Sequence, residues 1–444
     1  MVHLNTNLKL RPDQAQSAIN SSPTTSATAT SDASVAPTDR PVEAQSTWHS
    51  VRAYPHFRML LIGTSATNSA FWMYQIAVGW LALQMTDSPF FVGLTGFAGG
   101  IPLLLLSLPV GVVVDRVDKR TILLMAQAGV MLTSIVFALM VGFDVIERWS
   151  ILVLAAVYGS VMSFVFPTRT TMVPSLVQRA DLTNALALNA AGQNATRVIG
   201  PSLAGILIAL FGVTGTFAAG ALMQVLALYS TWHLPKRVES PSARTSAGAS
   251  NFTLGFKIVA RDPFMLSVIL MALATNVLVM PYLNLMPVFA RDELHVGSTG
   301  LGILLASAGL GTVAGALLVA RSAWLNAWPK SQLASAIIFC VLVMLFAITP
   351  VVELAIPLLF LAGLVSATFL ALNQTSLQMR VDDNVRGRVF SIYLMTWGVL
   401  PIGQLTVGTL ADLFGSPLAV VVACLVSLVY IGLLVRRYGI PSET

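Results

Sequence analysis

Gly111-Val112-Val113-Val114-Asp115-Arg116-Val117-Asp118-Lys119-Arg120 changes character midway, from apolar to charged. It follows one apolar run, 90–114, and precedes another, 121–142. Each run reaches the roughly 20 residues that a helix needs to cross the hydrocarbon of a bilayer. The two runs therefore read as consecutive membrane crossings joined by a short charged turn. Working outward from it, the same alternation recurs from Phe57 onward and yields twelve spans. They run over 57–84, 90–114, 121–142, 149–171, 184–211 and 214–233, then 263–290, 299–320, 332–349, 354–378, 388–413 and 416–435. The one longer interruption, Leu234 to Asp262, carries Lys236, Arg237, Arg244, Lys257 and Arg261 and splits the spans six and six. The expected architecture is an all-α membrane protein of twelve transmembrane helices in two pseudo-symmetric six-helix bundles. Its parts are a tail at 1–56, a bundle at 57–233, a linker at 234–262, a second bundle at 263–436 and a tail at 437–444.

Composition supports this. Hydrophobic residues make up 56% of the 444 and charged residues 10%, against roughly 25% charged in a soluble domain. A water-soluble globule is excluded. The net charge of +6 does not indicate nucleic acid, because the basic residues sit between apolar runs rather than on one solvated face. They mark orientation instead, since loops on the cytoplasmic side carry the Lys and Arg excess. With the N-terminus cytoplasmic, most of the 25 basic residues fall at that boundary, while Arg148 and Arg291 fall on the other. Both termini are expected in the cytoplasm. The tail, rich in Ser, Thr, Ala and Pro, has too little apolar surface to offset ordering entropy and is expected to be disordered. Cys340 and Cys424 lie inside apolar runs, the five histidines show no ligand spacing, and no P-loop appears. No enzyme chemistry, metal or cofactor is expected. The partners implied are a small-molecule substrate and the lipid bilayer, and a monomer is expected.

The two halves echo each other. A shift of 208 residues lays Ala66, Thr67, Asn68 and Tyr74 on Ala274, Thr275, Asn276 and Tyr282. A shift of 203 lays Ser163, Phe166, Gly200 and Gly205 on Ser366, Phe369, Gly403 and Gly408. Halves repeated in parallel place a ligand site at their interface near mid-membrane. Arg197 is the basic residue read inside a span, and such a charge faces a bundle interior or a water-filled cavity. Its forked donors suit carboxylates, so it is the leading substrate contact, unless Asn194, Gln193 or backbone carbonyls satisfy it within the fold. Asn68, Tyr74, Gln75, Asn194, Asn276, Tyr282, Asn373 and Trp397 complete the candidate set, with Trp72, Asn284, Tyr393, Gln374 and Gln404 beside them; each could equally be interhelical packing. No acid lies near the middle of any span, so a proton-coupling group is not evident there. Asp115 beside Arg116, facing Arg386, Gly387 and Arg388, with Gly111 on the same helix face, is the candidate conformational latch sensitive to the proton gradient, the alternative being a static salt bridge.

The stretch Gly111 to Arg120 resembles the loop between helices two and three of the major facilitator superfamily: a Gly, then Asp-Arg four residues on, then a further basic pair. Asp118 stands where that pattern has Gly. Pro102, Phe166-Pro167 to Val173-Pro174, Leu182, Ala185, Asn189, Asn194, Arg197, Gly200-Pro201 and Gly205, with Arg386-Gly387-Arg388 and Leu400-Pro401-Ile402-Gly403, look like the superfamily's exporter branch of siderophore, secretion-effector and drug-efflux carriers. Span five also resembles the superfamily's antiporter signature in Ala187, Thr196, Gly200, Pro201, Ala204 and Gly205, with the end of the series, Gly200, Pro201 and Gly205, intact. The resemblance implies a secondary active transporter that exports a small amphipathic solute (siderophore, drug or metabolite) by alternating access, driven by the proton gradient as an antiporter. An importer of a metabolite, or a non-transporting sensor or scaffold, is the alternative.

Overall fold

The computed structural model describes residues 49–235, 249–321, 330–381 and 383–439. The expectations for the tail up to residue 48, for linker residues 236–248 and for 440–444 lie outside the described residues. Everything described is helical or connecting turn. The helices are α1 Pro55–Thr86, α2 Pro89–Arg116, α3 Lys119–Gly142, α4 Arg148–Leu176, α5 Leu182–Trp232, α6 Ala249–Arg261 and α7 Pro263–Ala274. They continue as α8 Gly297–Arg321, α9 Ser331–Ala347, α10 Val352–Arg380, α11 Asp383–Gly398, α12 Leu400–Phe414 and α13 Ser416–Tyr438. Two expected spans merge in α5, which bends at Gly212, a residue at φ 70° that glycine adopts without steric cost. One expected span divides, since Val399 interrupts the path from α11 to α12.

Local chemistry sets where these helices begin. Pro55, Pro89, Pro263 and Pro417 occupy first turns, where a missing N–H costs nothing. Asp118 of the charged turn caps α3 by accepting from Thr121 N at 2.9 Å, and Asp262 caps α7 by accepting from Phe264 N at 2.8 Å. Span seven departs from a plain helix. Beyond Ala274 the chain continues to Glu293 in π and tight 3-10 turns, because Pro281 and Pro287 each remove a backbone donor from the ladder.

Eight helical stretches are long and apolar enough to cross a bilayer, and one of them, Asn184–Trp232, contains two spans. Helix α1 is not among the eight. It carries Asn68, Trp72 and Gln75, polar or weakly apolar side chains that line the central cavity described below, and these lower its hydropathy. The Tyr74–Tyr282 match from the repeat falls on equivalent places. Tyr74 stacks on Tyr158 at 3.6 Å and meets Phe137 of α3, while Tyr282 meets Phe339 of α9.

Small residues bring the bundles together. A Cβ at Gly205 in α5 would overlap the backbone of Gly302 in α8, and one at Gly100 in α2 would overlap the Pro401 ring in α12. Beyond these seams the halves are joined by polar contacts at the end remote from the termini. Asp412 at the end of α12 accepts from Ser88 Oγ at 2.6 Å and Phe90 N at 3.3 Å, capping α2. Arg291 donates to Leu83 O at 3.0 Å and pairs with Asp87 at 2.8 Å, capping the end of α1. One half thus supplies caps to both helix ends of the α1–α2 turn in the other, and this closes the assembly at that end.

Candidate functional site

Span five is shaped by its own sequence around Arg197. Pro201 lacks an N–H, so the carbonyl four residues earlier, that of Arg197, loses its helical donor. Gly200 has no side chain to hold α5 away from α1; a Cβ there would lie 2.6 Å from Trp72 Cβ. These two residues set the guanidinium beside the Trp72 ring, 5.9 Å from its centroid. From the opposite half, the Trp397 ring lies 5.0 Å away. A guanidinium over two indoles is held by its faces, which leaves its in-plane N–H groups for a ligand. Among the described residues no carboxylate pairs with Arg197.

Arg197 borders a central cavity of about 250 Å³ between the two bundles. Its wall combines the aromatic surfaces of Phe71, Trp72, Phe166 and Trp397 with the aliphatic Leu103, Met280 and Leu283. Five amides, Asn68, Gln75, Gln193, Asn284 and Gln404, open onto it. A second compartment of about 110 Å³ shares Trp72, Arg197 and Trp397 and extends past Pro201 and Tyr282 toward Thr312 and Ser366. A cavity with apolar walls, a few convergent polar groups and one cation holds an amphipathic ligand. Among the described residues, one guanidinium and no acid line it.

The candidates from sequence divide accordingly. Arg197, Asn68, Gln75 and Trp397 line the central cavity, and Tyr282 lines the second compartment. Tyr74 borders a smaller adjoining space but is otherwise enclosed by Phe137, Tyr158 and Phe217. Its hydroxyl meets no partner among the described residues. Replacing Tyr74 by Phe removes only that buried, unpaired hydroxyl, so transport rate and thermal midpoint are expected to stay within about twofold and a degree or two of the parent. A flux assay and a melting curve check this.

Asn276 and Asn373 are fully buried away from the cavity lining. Asn276 donates to Thr396 Oγ1 at 3.0 Å and ties span seven to span eleven within its half. Gly200 and Gly205 are packing surfaces against α1 and α8, and Pro201 lines the second compartment. The side chains of Asn194 and of the latch residues Asp115, Arg116, Arg386 and Arg388 lie outside those described. Gly111 stands on α2 with open space at its Cα.

Sequence reasoning missed a buried cation. Arg169, counted with the residues at the cytoplasmic boundary, is 4% exposed inside the first bundle. It donates to Gly63 O at 2.9 Å and to Thr67 Oγ1 at 2.5 Å, and Thr67 in turn donates to Gln224 Oε1 at 3.0 Å. With the Gln127 amide oriented to present its oxygen, that oxygen accepts from Arg169 at 2.7 Å. Four helical segments are knotted together around one charge. The sequence signal was its place between Pro167 and Pro174, in a helix that runs on to Leu176. The apolar wall residues Phe71, Leu103, Phe166, Met280 and Leu283 were also missed, since apolar residues in an apolar span carry no mark of which face they occupy.

Comparison with known proteins matches the fold. The chain is 26% identical over 358 residues to the staphyloferrin A transporter of Staphylococcus aureus, covering 78% of this chain and 86% of that protein. It is 25% identical over 350 residues to the multidrug efflux pump Tap of Mycolicibacterium fortuitum, covering 77% and 85%. Among solved structures, a bacterial homologue of the human lysosomal transporter Spinster, inward-facing and unoccupied, superposes with a TM-score of 0.69 at 13% identity. That match covers 88% of this chain and 99% of the other. Residues 45–443 match the family described as transmembrane secretion effector. With its twelve helical spans in two bundles around a central cavity, this multi-pass membrane chain belongs to the transmembrane secretion effector family of major facilitator transporters.

Proposed function

We propose that this transporter exports a small amphipathic anion across a bacterial inner membrane by alternating access, with both termini in the cytoplasm and energy drawn from the proton-motive force. The observation that carries the reading is Arg197, sandwiched between Trp72 and Trp397 on the wall of the central cavity. Its guanidinium binds the anionic group of the solute edge-on, while the indoles and Phe71 and Phe166 hold the apolar part. Asn68, Gln75, Asn284 and Gln404 accept or donate to the solute's remaining polar atoms. The relatives include the staphyloferrin A transporter and the multidrug efflux pump Tap, and the second supports outward movement of such a solute. The contacts that close the end remote from the termini leave the cavity to be loaded from the other side, and rocking of the bundles then breaks the Asp412 and Arg291 caps.

A panel of siderophores, dyes and antibiotics, sorted by charge and aromatic content, tests this. Cells lacking the protein are expected to retain the aromatic anionic members several-fold more than complemented cells, and a collapsed gradient abolishes the difference. Equal retention across the panel, or a difference confined to cationic members, overturns the reading.

A further inference from the structure

The charges at mid-depth raise a question of energy. All 19 acidic residues and all five histidines of the chain lie outside the spans or at their ends. The acids nearest a span interior are Asp115 in the last turn of α2, Glu353 in the first turn of α10 and Asp412 near the end of α12. Among the described residues, the arginines buried or half-buried within the spans are Arg169 and Arg197, and a guanidinium does not serve as a proton-exchanging group in a protein. Coupling to protons by antiport needs a group in the pathway that gains and loses a proton as the cavity changes sides. Among the described residues this cavity is lined by amides, aromatic rings, aliphatic side chains, the hydroxyl residues Tyr282, Thr312 and Ser366 and one guanidinium, and none of these groups ordinarily titrates near neutral pH.

We propose that the transporter is an electrogenic anion carrier driven by the electrical part of the proton-motive force, with Arg197 as its fixed gating charge and no proton exchanged. The inference rests on the reading of Arg197 as the partner of the solute's anionic group. The charge bookkeeping is simple. With a monoanion bound, the cavity is neutral and the loaded bundles rock without opposition from the field. Empty, the cavity carries the one positive charge of Arg197, since no acid among the described residues lines it. A membrane potential negative on the cytoplasmic side draws that charge back toward the cytoplasmic-facing arrangement. Each cycle moves one negative charge outward, down the electrical gradient. No bond is made or broken, and no counter-ion has to return. The two indoles suit this role: they hold a guanidinium by its faces without neutralising it, as a carboxylate would.

The test uses the full-length protein and 1-naphthalenesulfonate, an aromatic anion that stays ionised at every accessible pH. Binding is read first, from the emission of the tryptophans that flank Arg197. The protein is then reconstituted into vesicles with the probe at equal concentration on both sides, and two gradients are imposed separately. A tenfold potassium gradient with valinomycin is expected to redistribute the probe by about tenfold, the ratio that ~60 mV sets for one charge. A pH difference of about one unit, with the potential clamped at zero by equal potassium and valinomycin, is expected to leave it evenly distributed. Redistribution under the pH difference alone overturns the inference, as does bound probe that the potential does not move. Absence of any binding overturns instead the anion-recognition reading of the site, so the two failures are distinct.

Discussion

Transport of an aromatic anion is expected to fall by about 10- to 150-fold when Arg197 is replaced by glutamine, with expression and melting temperature close to the parent. The magnitude follows from hydrogen bonds to a charged group, about 1.5–3 kcal/mol each set. The stability expectation follows from geometry, because Arg197 makes no ion pair among the described residues and borders open space rather than core. Lysine separates charge from shape. Arg197→Lys keeps the positive charge but loses the planar fork and its stacking between Trp72 and Trp397, so an intermediate rate and a weaker affinity are expected. Flux in reconstituted vesicles and tryptophan quenching by the anion provide the two readouts. Near-parent rates in both variants would remove Arg197 from the mechanism.

The second large effect concerns the movement of the bundles. At Gly205 the helices α5 and α8 touch backbone to backbone. Gly205→Ala places a methyl group against Gly302, where no flexible side chain can give way. Within its own helix the substitution is favourable by about 1 kcal/mol, so the first bundle still folds. The cost, about 1–3 kcal/mol for overpacking, falls on the arrangement in which the two helices touch. The closed state at the end remote from the termini is therefore expected to lose population by roughly five- to 150-fold. Spin labels at Phe143→Cys and Ile348→Cys, both exposed positions in loops of opposite bundles, should report a longer distance in the Gly205→Ala background. Gly220→Ala is the control, because a Cβ there meets nothing and the distance is expected to stay as in the parent. An unchanged distance in both backgrounds would show that the Gly205–Gly302 contact does not hold that end shut.

Much of this molecule was legible before any coordinates. Apolar runs of crossing length, separated by charged turns, read directly as spans because a bilayer demands length and hydrophobicity whatever the partners of a helix. The repeat at a shift of 208 put Tyr74 and Tyr282 on equivalent helices, and both pack on the third helix of their own half. Arg197 stood out because a charge inside a span is costly unless it faces polar space. The roles of its neighbours were not legible in the same way. Asn68 and Asn276 occupy equivalent positions in the repeat, yet Asn68 lines the cavity while Asn276 ties two helices together. Which of them meets the cavity depends on helix rotation and on the irregular turns of span seven, and neither is encoded in residue type.

Composition and pattern, by themselves, determined a twelve-span membrane protein with one charge to explain, because the solvent that surrounds each segment imposes its rules locally; that it is a carrier was implied by the resemblance of Gly111 to Arg120 and of span five. Only the tertiary structure decided that Arg197 lies between two indoles contributed by opposite bundles, that Arg169 is a buried knot rather than a boundary charge, and that Asp412 and Arg291 cap the helix ends of the other half. Each of these depends on the approach of helices far apart in sequence, and that approach is set by how small residues such as Gly200 and Gly205 let backbones meet.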